Sequence, residues 1–492
     1  MAPKPLIHAF LALGASFALL VGPSADAAKP GALDTTFGRA GKVITDFGRI
    51  DSIYDIAVQP NGKIVAVGDS YERGTPNDTF ALTRYTRTGA LDQTFGIGGK
   101  VTTDFGRTSS GAFAVAVQPD GRIVAAGGAG GDIALARYDA NGSLDPTFGK
   151  GGMVLTDLPS SREAALALLL QPDGKLVVSG SIFQRGSYGD FLIARYTASG
   201  ALDQSFGNGG TVSTDIQPDF LDLGYGVALA PRGKIVVAGW GLPEGASGPG
   251  VIDLARYNPD GSLDTSFGGD GTVVSRPDED SGAHSVVVQP DGKLVVAGFI
   301  GLSGLAIVRY TASGVLDLVT TVGPGPGYAT DLVRQPDGKL VAAGVRGVSD
   351  TDSNFVIARF KRSGFPDRSF HGGHTTTDMG GSDIAQAVAL QADGRIVVGG
   401  STGQLKDGIT QSGDFALARY IAAPKCRVPN VIGKTLRAAK AKIARSSCRL
   451  GRVGHRASAR VPRGHIVSQR PAPRTTLPYR GKVNPVVSLG RG

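Results

Sequence analysis

The sequence predicts a mainly β chain: a seven-bladed β-propeller of four-stranded blades, followed by a small α/β domain. Three observations predict it. A run of six residues is said seven times with small changes: "FALTRY" (80–85), "IALARY" (133–138), "FLIARY" (191–196), "IDLARY" (252–257), "LAIVRY" (305–310), "FVIARF" (355–360) and "FALARY" (415–420). Each copy follows a Gly-containing turn and a β-branched run that ends at Gly. After residue 423 the repeat stops and the composition changes.

The first segment, "MAPKPLIHAFLALGASFALLVGPSADA", joins Lys4 to an apolar run over 9–21 and a small-x-small Ala25-Asp26-Ala27. That is the pattern of a cleaved secretory signal over 1–27. The run is shorter than the roughly 20 residues a membrane span needs, so the mature chain is expected to be exported without stable membrane insertion.

Within each unit the first piece ends in a turn such as "AVQPNGK" (57–63), "AVQPDGR" (116–122) or "LAPRGK" (229–234). Pro presets φ for these turns and Gly accepts the positive φ they need. The second piece, as in "IVAVG" or "LVVSG", is rich in β-branched residues, which favour strands. The third, "FALARY", alternates at period two. The fourth is "LDQTFG" and its relatives at Leu33, Leu91, Leu144, Leu202 and Leu263, decaying at Leu316 and near Phe365. Four short strands at a spacing of about 50 to 61 residues are expected to form one propeller blade. Because "GALDTTFG" (31–38) precedes the first unit and nothing like it follows the last, the N-terminal segment is expected to supply the outer strand of the seventh blade. Closure of this kind removes exposed edges. The recurring Asp34, Asp92, Asp145, Asp203, Asp264 and Asp317 read as structural, held in Asx-type turns.

On these pieces, residues 28–422 resemble the delta-60 repeat of bacterial secreted proteins, and the order of turns is similar to NHL-type blades. The resemblance implies a propeller.

Alternating strand direction places the tight turns on one rim and the long, varied connections on the other. Loops on a rigid scaffold carry recognition. Tyr71, Arg73, Phe183, Arg185, Tyr188, Trp240 and Arg346 lie there as candidate binding residues: aromatic rings stack on sugars or apolar groups, and Arg pairs with carboxylates. Trp240, the one Trp of the chain, either meets a ligand or wedges between the fourth and fifth blades.

No catalytic set stands out. No G-x-S-x-G elbow and no phosphate-cradling loop is present. "FHGGH" places His371 near His374, but no Glu or Cys nearby completes a metal set, so no metal and no cofactor is expected. Asp46, Asp104, Asp157, Asp215 and Asp378 recur after "VxT"-like triplets, and recurrence argues for scaffold.

The tail is a different substance. Residues 424–492 hold 17 of the 51 Lys and Arg and no Asp or Glu, which leaves 34 bases against 42 acids, a net −8, on the rest. Both cysteines, Cys426 and Cys448, lie in it. Export and the even count favour a disulfide over two thiols. Thr435 is placed to N-cap a helix in which Leu436, Ala439 and Ile443 share a face, and "HIVSQ" and "VNPVVSL" read as strands. Residues 423–492 resemble a PASTA domain, with Val428-Pro429-Asn430-Val431, Gly433, Val461-Pro462, Gly464, Ile466-Val467-Ser468-Gln469, Pro471 and Gly481 in family order. The resemblance implies a module that binds peptidoglycan fragments. The charge itself attracts anionic cell-wall polymers, while export and a single Tyr479 argue against nucleic acid.

The expectation from sequence is an exported, non-enzymatic binding or scaffold protein. Its propeller presents a recognition face for an unnamed ligand and its basic domain attaches to peptidoglycan or another anionic wall polymer. The alternative is a propeller hydrolase or lyase acting on extracellular glycans and targeted by that domain.

Overall fold

A computed structural model describes residues 29–491 apart from 73–77, 159–160, 185–187, 244–247, 324, 350–351, 407–408, 423–425 and 478–480. The expected signal, 1–27, lies outside the described residues. No helix among them is long and apolar enough to cross a membrane.

Each repeat unit folds as an antiparallel meander, with the inner strand first. In the second unit these strands are Ser110–Val117, Ile123–Ala129, Asp132–Tyr138 and Met153–Thr156. The third strand is buried along nearly its whole length because the next unit packs over it. That explains why FALARY-like runs are apolar on both faces up to their Arg. The inner strands pack on one another in chain order, and Ser382–Leu390 of the seventh unit packs against Ile50–Val58 of the first.

The seven blades expected from the repeats do not appear as seven separate sheets. Five sheets of four strands stand alone, and one sheet has eight strands. The eight-stranded sheet joins the first unit to the last through a single parallel bridge, Ile50 to Gly413. The N-terminal strand Lys42–Thr45 pairs antiparallel with Ile409–Tyr420, from Lys42 opposite Ala418 to Thr45 opposite Phe415.

Outside the fifth unit, where Leu316–Val322 is the outer strand as expected, the fourth strand is not the expected one. LDxxFG forms a turn that touches the sheet only through isolated bridges, such as Tyr138 to Leu144. The outer strand is the tetrapeptide after it, such as Lys100–Thr103 or Thr211–Thr214. The reason is that Phe148 and its equivalents drop into the core, fully buried, which bends the chain out of extended pairing. At Gly149, with φ of 53°, a Cβ would lie 2.2 Å from the Met153 carbonyl, so only Gly fits the return.

The C-terminal domain has a core of its own, in which Val431, Ala439, Ile443, Ile466 and Val483 surround the Cys426–Cys448 disulfide. Its helix, Leu436–Arg445, is N-capped by Thr435, whose Oγ1 accepts from Ala438 N at 3.3 Å. The strands Ile466–Arg470 and Lys482–Ser488 pair antiparallel. Gln469 binds this sheet to the VPNV segment: its Oε1 accepts from Val431 N at 2.7 Å and its Nε2 donates to the Pro429 carbonyl at 2.9 Å.

Candidate functional site: the ring of inner-strand bulges

The tight-turn rim is built to hold units together. In the second unit Arg137 Nε donates to Asp145 Oδ2 at 2.7 Å, and its Nη1 reaches across to the Ala198 carbonyl of the next unit at 2.6 Å. The guanidinium lies 4.7 Å from the Phe148 ring centroid. Arg122, from the QPDG turn, meets the same carboxylate at 3.1 Å. Asp145 Oδ1 accepts from the amide and the hydroxyl of Thr147, the Asx turn expected from sequence. Burial pushes this carboxyl up, but the Thr147 bonds and the charges of Arg137 and Arg122 outweigh it and hold its pKa below the ordinary value. Arg84–Asp92, Arg195–Asp203, Arg256–Asp264, Arg359–Asp367 and Arg419–Asp34 repeat the arrangement. Arg309–Asp317 keeps the ion pair but has no Phe beneath it. These aspartates are fully engaged and leave nothing for a ligand.

At the inner strands the repeats diverge. Each of the seven antiparallel pairings of first and second strands shifts register at the same place. The bulged residue stands five positions before the first residue of the QPDG-type turn. It is Tyr54, Phe113, Leu166, Tyr225, His284, Thr330 or Gln386, and every one is half-buried. In the fourth unit Gly224 joins Tyr225 in the bulge. Bulges re-aim side chains and gather near functional sites.

In the fourth to sixth units two bulge residues, Tyr225 and His284, join Tyr328, Phe299 and Trp240 in an arc of rings. His284 lies edge-on to Tyr225, centroids 5.2 Å apart, and to Tyr328 at 5.7 Å. Phe299 stands 5.9 Å from His284 and 5.3 Å from Trp240. His284 Nδ1 lies 2.9 Å from the Ala329 carbonyl, which fixes Nδ1 as the protonated nitrogen and leaves Nε2 as an acceptor. Burial depresses this imidazole's pKa, with the Ala329 bond opposing it. On the first two units Tyr54 packs edge-on to Phe113 at 5.0 Å and donates its hydroxyl to Asp69 Oδ2 at 3.2 Å. Burial pushes Asp69 up to about 7, partly offset by that hydroxyl. Its Oδ1 is buried with no partner.

The residues chosen from sequence are spread around the rim rather than gathered. Trp240 wedges between the fourth and fifth units, against Phe299 and over Gly282, where a Cβ would lie 3.0 Å from the indole. Phe183 and Tyr188, each 42% exposed, belong to the third unit. Tyr71 ends a strand of the first unit opposite Ile50. Arg346 sits opposite Gly327 in the sixth, half-buried, with Nε sealed and unpartnered. Arg73 and Arg185 lie outside the described residues. Tyr225, His284 and Tyr328 were missed. For Tyr225 and His284 the signal in the sequence is a strongly variable position of an otherwise repetitive inner strand, whereas Tyr328 stands two residues before the bulge at Thr330, outside that position.

Several acids are structural in a different way. Asp55 and Asp331, both half-buried, accept the amides of Val115 and Val388 on the neighbouring inner strands at 2.7 and 2.8 Å. Asp253 occupies a core position that is apolar in the other six units. It pairs with Asp222, and burial pushes it up to about 9. Two trios of carboxylates also come together, Asp46 with Asp51 and Asp414, and Asp132 with Asp157 and Glu163. In each, the buried member closes a loop: Asp51 accepts from Phe47 N and Glu163 from Leu158 N, both at 2.7 Å.

On the C-terminal domain a hollow of about 830 Å³ opens between Gln469–Ala472 and Gly481–Asn484, with Arg470 and Lys482 at its edge.

Comparison with known proteins follows this division. Seven segments, 59–95, 118–148, 171–206, 231–267, 289–318, 335–370 and 391–420, match the family described as "Domain of unknown function (DUF5122) beta-propeller", and 427–488 match the PASTA domain. None of the curated proteins matches the chain. Among solved structures it is similar to a streptogramin B lyase, at 12% identity over 77% of this chain and 97% of that one, TM-score 0.44. It is similar to the polysaccharide lyase Uly1 at 16% identity, covering 80% and 92%, TM-score 0.45. An α-L-arabinofuranosidase of Fusarium graminearum is 13% identical, covering 62% and 91%, TM-score 0.42. The chain therefore carries DUF5122 β-propeller repeats followed by a PASTA domain.

Proposed function

We infer that this is an exported, non-enzymatic recognition protein held at the cell wall by its PASTA domain. The observation that carries the reading is the basic segment itself: 17 cations and no acid over 424–492, folded around a disulfide into a module with its own core. Polyvalent contact with an anionic wall polymer is what such a surface favours, and a disulfide fits an oxidising compartment. The hollow beside Arg470 and Lys482 offers a concave face for peptidoglycan fragments. We read the eight-stranded sheet as two blades fused at one bridge, which gives a seven-bladed ring of the delta-60 kind, closed by Lys42–Thr45. Its recognition face is the rim of long connections together with the bulge ring behind it.

The test is sedimentation with purified peptidoglycan sacculi at physiological salt, comparing the mature chain with one ending at Ala423. Pelleting of the longer protein alone is expected. If both stay in the supernatant, or modest salt abolishes binding, wall attachment fails.

A second reading, an enzyme acting on extracellular glycans, is favoured by one observation: an imidazole with Nε2 available, set between two phenols in the channel ring. Release of new reducing or unsaturated ends from a glycan by the mature chain, abolished in His284→Ala, would replace the non-enzymatic reading.

A further inference from the structure

The arc formed by Trp240, Phe299, His284, Tyr225 and Tyr328 has a chemistry of its own. Three of its four ring contacts are edge to face, across three units, and edge-to-face contact leaves ring faces for stacking. Tyr328 is 36% exposed, and Tyr225 and His284 are half-buried. Among the described residues the Tyr225 and Tyr328 hydroxyls have no hydrogen-bond partner, nor has His284 Nε2. Three polar positions on three adjacent units therefore belong to rings of one arc.

Charge decides among ligand classes. Burial disfavours the charged form of His284, and no carboxylate acts on it to restore a charge. A neutral imidazole and two phenols do not compensate an anion. An aromatic surface alone would suit a quaternary cation, but that ligand leaves the three polar positions unused. A sugar ring uses both features: its C–H face covers an aromatic ring while its hydroxyls exchange hydrogen bonds with phenol and imidazole.

We propose that the arc binds an uncharged pyranose residue of an extracellular glycan, stacked on Tyr328 and hydrogen-bonded by Tyr225, Tyr328 and His284. The proposal rests on the recognition reading of the propeller and names its ligand class.

Trp240 is the only Trp and touches the arc, so its emission reports occupancy of the propeller and is blind to the Trp-free PASTA domain. The mature full-length chain is titrated with neutral hexasaccharides of glucose, mannose, galactose and N-acetylglucosamine, then with polygalacturonate and tetramethylammonium. At least one neutral hexasaccharide is expected to shift the emission saturably. Tyr328→Ala weakens that binding by about tenfold or more, and Tyr225→Phe, which removes one hydroxyl and keeps the ring, by several-fold. The proposal is overturned if no neutral sugar moves the emission, if both variants bind like the parent, or if only the polyanion or the cation binds. Sacculus pelleting reads the other domain, so a failed sugar site and a failed wall attachment are separate results.

Discussion

At the tight-turn rim every unit repeats the same residues for the same task, whereas at the bulge ring the same backbone device carries a different residue in almost every unit. Arg137 and Asp145 recur in register, with Arg or Lys at the place of Arg122, because Arg137 holds one unit to the next. The bulges recur as geometry only, and their side chains run from Leu166 to His284. Recurrence thus marks the scaffold and divergence on a fixed frame marks the place where a ligand would be read. The fifth unit is an internal control. It lost the Phe of LDxxFG, its Asp317 side chain is 26% exposed, and its Arg309 is 15% exposed, so the clamp there sits in water.

The largest effect expected from this contrast is on the clamps. Arg137→Ala removes one partner of a buried pair and strips the cover from Phe148, and should cost about 3 kcal/mol. Arg309→Ala, at the solvated pair, should cost less than about 1 kcal/mol. Denaturant midpoints followed by circular dichroism compare the two. Equal losses would mean that burial of the clamp is not what stabilises the ring.

The next effect is a pH dependence of opposite sign at the two ends. The clamp carboxyls are depressed; Asp367 is held at about 2 by Lys339, Ser369 and Arg359 against the burial that raises it. Their contribution is present above the unfolded carboxyl value near 3.8 and is lost as pH falls toward 2. Asp69 is raised to about 7. Its contribution is full below about 3.8, declines as pH rises and is gone above about 7. Asp69→Asn should therefore stabilise the protein by at least about 1 kcal/mol at pH 8 and change little at pH 4. Stabilisation of the same size at both pH values would show that Asp69 is not held protonated.

Much of this division is legible in the sequence, and the failures have physical causes. Turn chemistry and period-two runs gave the meander, because those signals are local. LDxxFG was misread as a strand, since its burial under Arg137 is a tertiary fact: nothing in six residues says that an Arg from another strand will stack on the Phe. The outer strands, such as Lys100–Thr103, are four residues long, too short for a period-two pattern to show. The Thr435 cap and the Cys426–Cys448 pair were readable because each rests on one or two residues. His284 and Tyr225 sit where a bulge breaks the alternation that period counting relies on, and Tyr328 sits in the regular ladder beside one. Counted back from the QPDG-type turn, the bulged position is visible as a strongly variable one of the inner strand.

The smallest effect concerns the latch between neighbouring units. Tyr138 Oη lies 2.7 Å from Thr103 Oγ1 of the preceding outer strand, and Tyr85, Tyr196, Tyr257 and Tyr420 make the same contact. In the sixth unit the third strand ends in Phe360, and the preceding outer strand has Val322 where the others have Thr or Ser; both are buried in one cluster. Donor and acceptor are lost together there, which leaves no unpaired hydroxyl. Tyr138→Phe alone orphans the Thr103 hydroxyl and should cost about 1 kcal/mol. Tyr138→Phe with Thr103→Val copies the sixth unit and should recover most of that loss. A double variant no more stable than the single one would show that the hydroxyl pair, and not the orphaned group, accounts for the cost, and that the sixth unit is held by other contacts.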